Sequence, residues 1–213
     1  RWGRAWLERG SAECRFAKPV YDGAIAVVTA AEDPAGLELR VESRGVVCAT
    51  GRAGLPTAAE VPSPVPDSFA DAAERAVRPP ADEVSLAVGT RLGMAPFAVT
   101  PDIAAQYVAD VRETLPLYAA EGLIHPVVVL RTCNWVLSRN VVLGPWMHVG
   151  SRVQNLSAAR VGEALSVRAL VSANYEQKGH WFVDLDALVL ADGRPVAQVG
   201  HLSIYRPRQI AAA

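Results

Sequence analysis

The sequence predicts an α+β protein in which an antiparallel sheet wraps around one long buried helix, with that unit present twice in tandem and its first copy incomplete. Three observations carry this. HPVVVLRTCNWVLSRN (125–140) is about four helical turns long and apolar on most sides, the mark of a buried helix. Residues 13–55 and 148–206 read as strands separated by glycine turns. GAIAVVTA (23–30) lies over GEALSVRA (162–169), so that helix end, strand, Gly turn, strand and strand recur in the same order.

The elements follow along the chain. RWGRAWLERG (1–10) reads as the end of a helix closed by Gly10. RFAKPVYDGAIAVVTA (15–30) turns at Asp22-Gly23, LELRVES (37–43) alternates by twos, and GVVCATGRAGL (45–55) closes the set. Residues 56–83 hold six prolines (Pro56, Pro62, Pro64, Pro66, Pro79, Pro80), the composition of a linker with at most one short helix, DSFADAAERAV (67–77). Thr100-Pro101-Asp102 is a helix start, with a capping hydroxyl, proline at the first helical position and an early acid. Ile103, Tyr107, Val108 and Val111 then form its apolar stripe.

In 125–140 the β-branched run Val127–Val129 suits a strand, but the length favours a helix, with Arg131, Asn134 and Ser138 on one face. HVGSRVQNL (148–156) leads to a turn at Val161-Gly162-Glu163 and the strand LSVRALVSANY (165–175). WFVDLDALVL (181–190) turns through Asp192-Gly193-Arg194-Pro195 into VAQVGHLSIYR (196–206). The expected divisions are a first unit over 1–56, a Pro/Ala-rich linker over 57–84 and a second unit over 85–213.

Composition narrows the function. Of 213 residues, 51% are hydrophobic and 20% charged, which places the chain among folded globular proteins. The net charge is −1 with Lys and Arg scattered, so neither nucleic acid nor an acidic membrane surface is an expected partner. No apolar run approaches the ~18 residues of a membrane span, and no signal peptide is visible. Three cysteines (Cys14, Cys48, Cys133) lack metal-type spacing and suit a reducing compartment, the cytoplasm. His148, His180 and His201 fit no metal motif, and no metal is expected. Neither a phosphate-binding glycine loop nor a G-x-S-x-G elbow occurs, which removes nucleotide hydrolases and α/β-hydrolases.

The chain resembles a tandem (double) hot-dog protein of the MaoC-like (R)-specific enoyl-CoA hydratase/dehydratase group. FAKPVYDGAIAVV carries the resemblance in the first unit. HPVVVLRTCNWVL and the strands from RVGEALSV (160–167) to HLSIYRPR (201–208) carry it in the second. The likeness covers nearly all the chain outside the linker, and it implies that the first unit's opening strand and most of its central helix lie before Arg1. Hydratases of the group share D-x-N-P-(apolar)-H ahead of the central helix, where the Asp and His activate a water for addition across an α,β-unsaturated thioester. The matching residues are Glu113-Thr114-Leu115-Pro116-Leu117-Tyr118. Proline and the apolar residue persist, while Glu113 stands for Asp, Leu115 for Asn and Tyr118 for His.

These replacements define the candidates. Glu113 is a general base one methylene longer than Asp. Tyr118 is a hydrogen-bond donor to a thioester carbonyl. His125, just before Pro126, titrates in the range needed to move a proton. Free amides of Val127 and Val128 at the helix start would hold the carbonyl oxygen. Arg131 and Asn134 would reach ligand or brace the sheet, and Lys178 would touch a CoA phosphate. Each has a plain structural counterpart: a solvated carboxylate, a core aromatic, a capping histidine, paired polar groups.

The resemblance implies no cofactor beyond a CoA or carrier-protein thioester as substrate. It leaves three readings open: a hydratase/dehydratase with a rebuilt site, a silent acyl-binding or structural subunit, and a thioesterase. It also implies a homodimer, or a hetero-oligomer with another hot-dog protein.

Overall fold

Among the described residues there are nine strands: β1 (Ser11–Phe16), β2 (Val27–Asp33), β3 (Gly36–Ser43), β4 (Val46–Gly54), β5 (Arg91–Ala98), β6 (Met147–Asn155), β7 (Ala164–Gln177), β8 (His180–Ala191) and β9 (Arg194–Arg206). Among the described residues four α-helices accompany them: α1 (Arg4–Arg9), α2 (Pro101–Asp110), α3 (Leu117–Glu121) and α4 (Pro126–Asn140). This computed structural model describes residues 1–63 and 69–208. The strands form one antiparallel sheet in the order β2-β3-β4-β1-β6-β9-β8-β7-β5. Read outward from the β1–β6 seam, the order is a palindrome. β1, β4, β3 and β2 mirror β6, β9, β8 and β7, and β5 is added beyond β7.

Helix α4 forms where expected because its start is well supplied. His125 is the N-cap, Pro126 needs no amide partner at the first position, and fourteen residues follow it without an interrupting glycine or proline. Val128, Val129, Thr132, Cys133, Val136, Leu137 and Asn140 are buried on one face. They pack on the inner sides of β5, β7, β8 and β9, where Leu165, Val167, Val171, Leu185, Val189 and Val199 lose nearly all solvent contact. Burial of each such side chain contributes about 1.5–3 kcal/mol. The helix is therefore two-sided rather than apolar all round: Val127 and Arg131 are exposed and Asn134 and Ser138 half-buried on the other face. Asn140 ends it, donating to the Gly93 and Val136 carbonyls at 2.7 Å each and accepting from the Arg75 amide.

One expectation changes, one lies partly outside the described residues, and one strand was not foreseen. Asp22-Gly23 does turn, with Gly23 at φ 72°, but β1 and β2 do not form a hairpin; residues 17–26 are a longer connection, and β1 pairs with β4 and β6. Of the short helix expected over 67–77, residues 67–68 lie outside the described residues and 70–77 carry none. Alternation also does not reveal β5, whose sequence RLGMAPFA is broken by Gly93 and Pro96.

Both irregularities of β5 have a cause. The linker runs along its outer edge, and the Ala72 carbonyl lies 1.6 Å from where a Cβ on Gly93 would sit, so only glycine fits. The Gly93 carbonyl is taken by Asn140, the Ala95 amide donates to Glu74 at 3.0 Å, and Pro96 has no donor. That edge is closed to another strand. Among the described residues no helix is long and apolar enough to cross a membrane.

Candidate active site

The start of α4 gathers Glu113, Tyr118 and His125. Glu113 follows α2, and its Oε1 accepts from the amides of Thr114 and Leu115 at 2.8 Å each, a local turn that fixes the carboxylate. Oε2 is left facing His125 Nε2 at 3.6 Å, an ion-pair distance longer than a hydrogen bond. Tyr118, buried on α3, sets its ring 4.7 Å from the imidazole at 52°. Gly122 in the left-handed region (φ 61°) ends α3 and lets the chain return to His125.

Bonding fixes the tautomer of His125. Nδ1 accepts from the Val127 amide at 3.2 Å, so in the neutral ring Nε2 carries the proton and points at Glu113. Burial pushes the His125 pKa down, opposed by the nearby Glu113 carboxylate. The Leu115 amide, ahead of the Thr114 amide and His125, holds the Glu113 carboxyl below its usual range against a smaller effect of desolvation. Burial, with a contribution from Glu113, raises the Tyr118 phenol. The resting state is a neutral imidazole, an ionised carboxylate and a protonated phenol.

The other expected residues do not join them. The amides of Val127 and Val128 are not free: the first donates to His125 Nδ1, the second to the His125 carbonyl at 2.9 Å. A helix start capped by its own side chain leaves no open donor pair. Arg131 lies at the surface, donating to the Tyr107 hydroxyl with its guanidinium over the Tyr107 and Trp135 rings at 5.3 and 5.2 Å. Asn134 is a half-buried residue over two turns further along, and its buried Oδ1 has no partner among the described residues. Lys178 sits at the β7–β8 turn (φ 53°), past the far end of β7 (Ala164–Gln177), whereas the start of α4 lies by Ala159, before that strand begins.

A second polar cluster escapes the sequence. At the seam, His148 stacks on His201 with centroids 4.3 Å apart, and Ser151 lies between them, 2.8 Å from His148 Nε2 and 3.5 Å from His201 Nδ1. Ser203 holds His201 Nε2 at 3.1 Å, and the Gly150 carbonyl holds His148 Nε2 at 2.9 Å. Only the strand register brings these residues together, and that register shifts between His148 and Gly150. The one legible signal is His201-x-Ser203, two polar residues on the inward face of a strand.

Burial, with His148 adding to it, lowers the His201 pKa to about 3, and burial lowers His148 as well. Folded-state values below the ordinary ~6.5 mean stability that is complete above that pH and lost as pH falls toward 3. Thermal melts from pH 7 to 4 should show this acid loss in the native protein. His201→Gln should flatten it; an unchanged acid limb in the variant would assign the loss to other groups.

No family model and no curated protein matches the sequence. Solved structures do match. A conserved hypothetical protein of Mycobacterium tuberculosis, described as essential for bacterial survival during infection and as a double hot-dog, aligns with TM-score 0.61 at 15% identity, over 94% of this chain and 76% of its own. A structure described as a MaoC-like dehydratase aligns with TM-score 0.60 at 12% identity, over 96% and 77%. A putative oleoyl thioesterase of Lactobacillus plantarum aligns with TM-score 0.51 at 13% identity, over 94% and 76%. The fold of the chain is the double hot-dog.

Proposed function

We propose that this double hot-dog chain is a MaoC-like hydratase/dehydratase acting on acyl thioesters through Glu113, His125 and Tyr118. The observation that supports it most directly is the convergence of these three side chains at the start of the buried helix, with Nε2 and Oε2 3.6 Å apart. A water about 2.8 Å from each atom would bridge them from one side. It would accept from Nε2–H and donate to the Glu113 carboxylate. As the water oxygen bonds to Cβ of a 2-enoyl thioester, its proton passes to Glu113 and is returned to Cα; dehydration is the reverse. With the Val127 and Val128 amides engaged, the Tyr118 hydroxyl is the donor to the thioester oxygen, and its raised pKa keeps that proton in place at neutral pH.

A second reading rests on the same bonds. With Nδ1, both amides and Oε1 satisfied within the protein, the cluster serves equally to fix the start of α4, as in a silent acyl-binding subunit. One assay separates these readings. Trans-2-enoyl-CoA substrates of C4 to C16 are followed by loss of conjugated thioester absorbance, with free thiol measured in parallel. Hydration that falls ~100-fold or more in Glu113→Gln is the expected result. Thiol release without hydration would identify a thioesterase. No turnover at any chain length, by folded protein, would favour the silent subunit.

A further inference from the structure

The three side chains gathered at the start of α4 are held in different ways. Amides of Thr114 and Leu115 hold the Glu113 carboxylate, and the Val127 amide holds the His125 ring. Among the described residues no hydrogen bond reaches the Tyr118 hydroxyl, so packing of the ring alone sets where it points. Helix α3, which carries it, has five residues, too few to be stable alone. What the ring packs against therefore fixes it.

Part of that support comes from the first half of the chain. Leu7 of α1 is buried in one small cluster with Tyr118 and Leu123, and Trp6, Val108 and Ala158 pack around it. Leu123 belongs to the same turn as Tyr118, its amide donating to the Tyr118 carbonyl at 3.0 Å, whereas Leu7 comes from outside it. Helix α1 is in turn fastened to β6. The Asn155 side chain donates to the Trp6 carbonyl and the Asn155 amide to the Gly10 carbonyl, each at 2.8 Å. The Gln154 side chain donates to the Arg9 carbonyl at 2.9 Å. At Gly10 a Cβ would lie 2.2 Å from the Trp6 ring, so glycine is what lets that ring close over the turn into β1. We propose that Leu7 is a positioning residue for Tyr118, so that the first half of the chain aims the hydroxyl that the second half offers to the thioester oxygen. The inference rests on the reading of Tyr118 as that donor.

A double-mutant cycle on the full chain, assayed with trans-2-enoyl-CoA, tests it. Tyr118→Phe removes the donor and should lower kcat ~100-fold. Leu7→Ala keeps the hydroxyl but frees the ring, and should lower kcat ~10- to 100-fold with little change in KM. Leu7→Met keeps the volume and should turn over like the native protein. In the Tyr118→Phe background Leu7→Ala should have no further effect, because a residue that acts through another is silent once the other is gone. Near-ultraviolet circular dichroism reads the ring without turnover. The difference between proteins with Tyr118 and with Tyr118→Phe should be present in the native and Leu7→Met backgrounds and lost in Leu7→Ala. Native turnover by Tyr118→Phe refutes the donor reading, and the aiming role falls with it. A slow Tyr118→Phe beside a native-rate Leu7→Ala, or equal losses from Leu7→Ala in both backgrounds, overturns the positioning role alone. In protein that hydrates nothing the dichroism still decides: an unchanged difference in Leu7→Ala overturns the brace, and a lost one upholds it while the donor reading fails.

Discussion

Replacement of His125 by alanine should reduce hydration of an enoyl thioester by ~100-fold or more, because its Nε2–H is the donor that positions the attacking water against Glu113. The same change removes a helix cap, costing about 1 kcal/mol and lowering the melting temperature by about 2–4 °C in a chain of this size. His125→Asn separates the two effects. Asparagine is among the best caps and can accept from the Val127 amide, yet it does not titrate. The asparagine variant should melt like the native protein and be as inactive as the alanine variant. If it keeps native turnover, the imidazole is only a cap and the proposed chemistry fails. The pH profile is a further mark. Because burial lowers the His125 pKa and amide bonds lower that of Glu113, the neutral-imidazole, ionised-carboxylate pair persists to lower pH than free groups would allow. The rate should therefore be flat through neutrality and fall only on the acid side.

Leu137→Ala should be the most destabilising single change in the helix. Leu137 has no solvent contact and faces the sheet in the main core. Truncating such a leucine typically costs about 2–5 kcal/mol, depending on how far the site collapses. For a domain of this length that corresponds to roughly 5–20 °C in melting temperature. Chemical denaturation would check it: a loss under about 1 kcal/mol would mean that α4 is not held against the sheet as described.

The local grammar of the chain was readable. Pro126 after a capping residue marks α4, Thr100-Pro101 marks α2, and alternation marks β3 and β6 to β9, with glycines at the Gly162, Gly179 and Gly193 turns. What failed to read was set by distant contacts. β5 is a strand because α4 and β7 flank it, although Gly93 and Pro96 argue against one. The site was legible in part. Glu113, Tyr118 and His125 stand close in sequence, so a short helix and one left-handed glycine suffice to assemble them. Lys178 could not be placed without knowing where along β7 the start of α4 lies. The stacked His148 and His201 are 53 positions apart and meet only through strand register.

The seam between the two halves has a consequence for how the chain reaches this structure. The β2–β3–β4 and β7–β8–β9 sets are joined by short turns and can zip locally, but β1 and β6 pair residues such as Ser11 and Gln154, 143 positions apart. Closing so long a loop is paid in chain entropy before any seam contact forms, which makes the seam a late and slow event in folding. Until it closes, β1 and β6 each expose an unpaired edge that fits another chain as well as its own. Assembly is then a race between closure within one molecule, whose rate is fixed, and capture between molecules, whose rate grows with concentration.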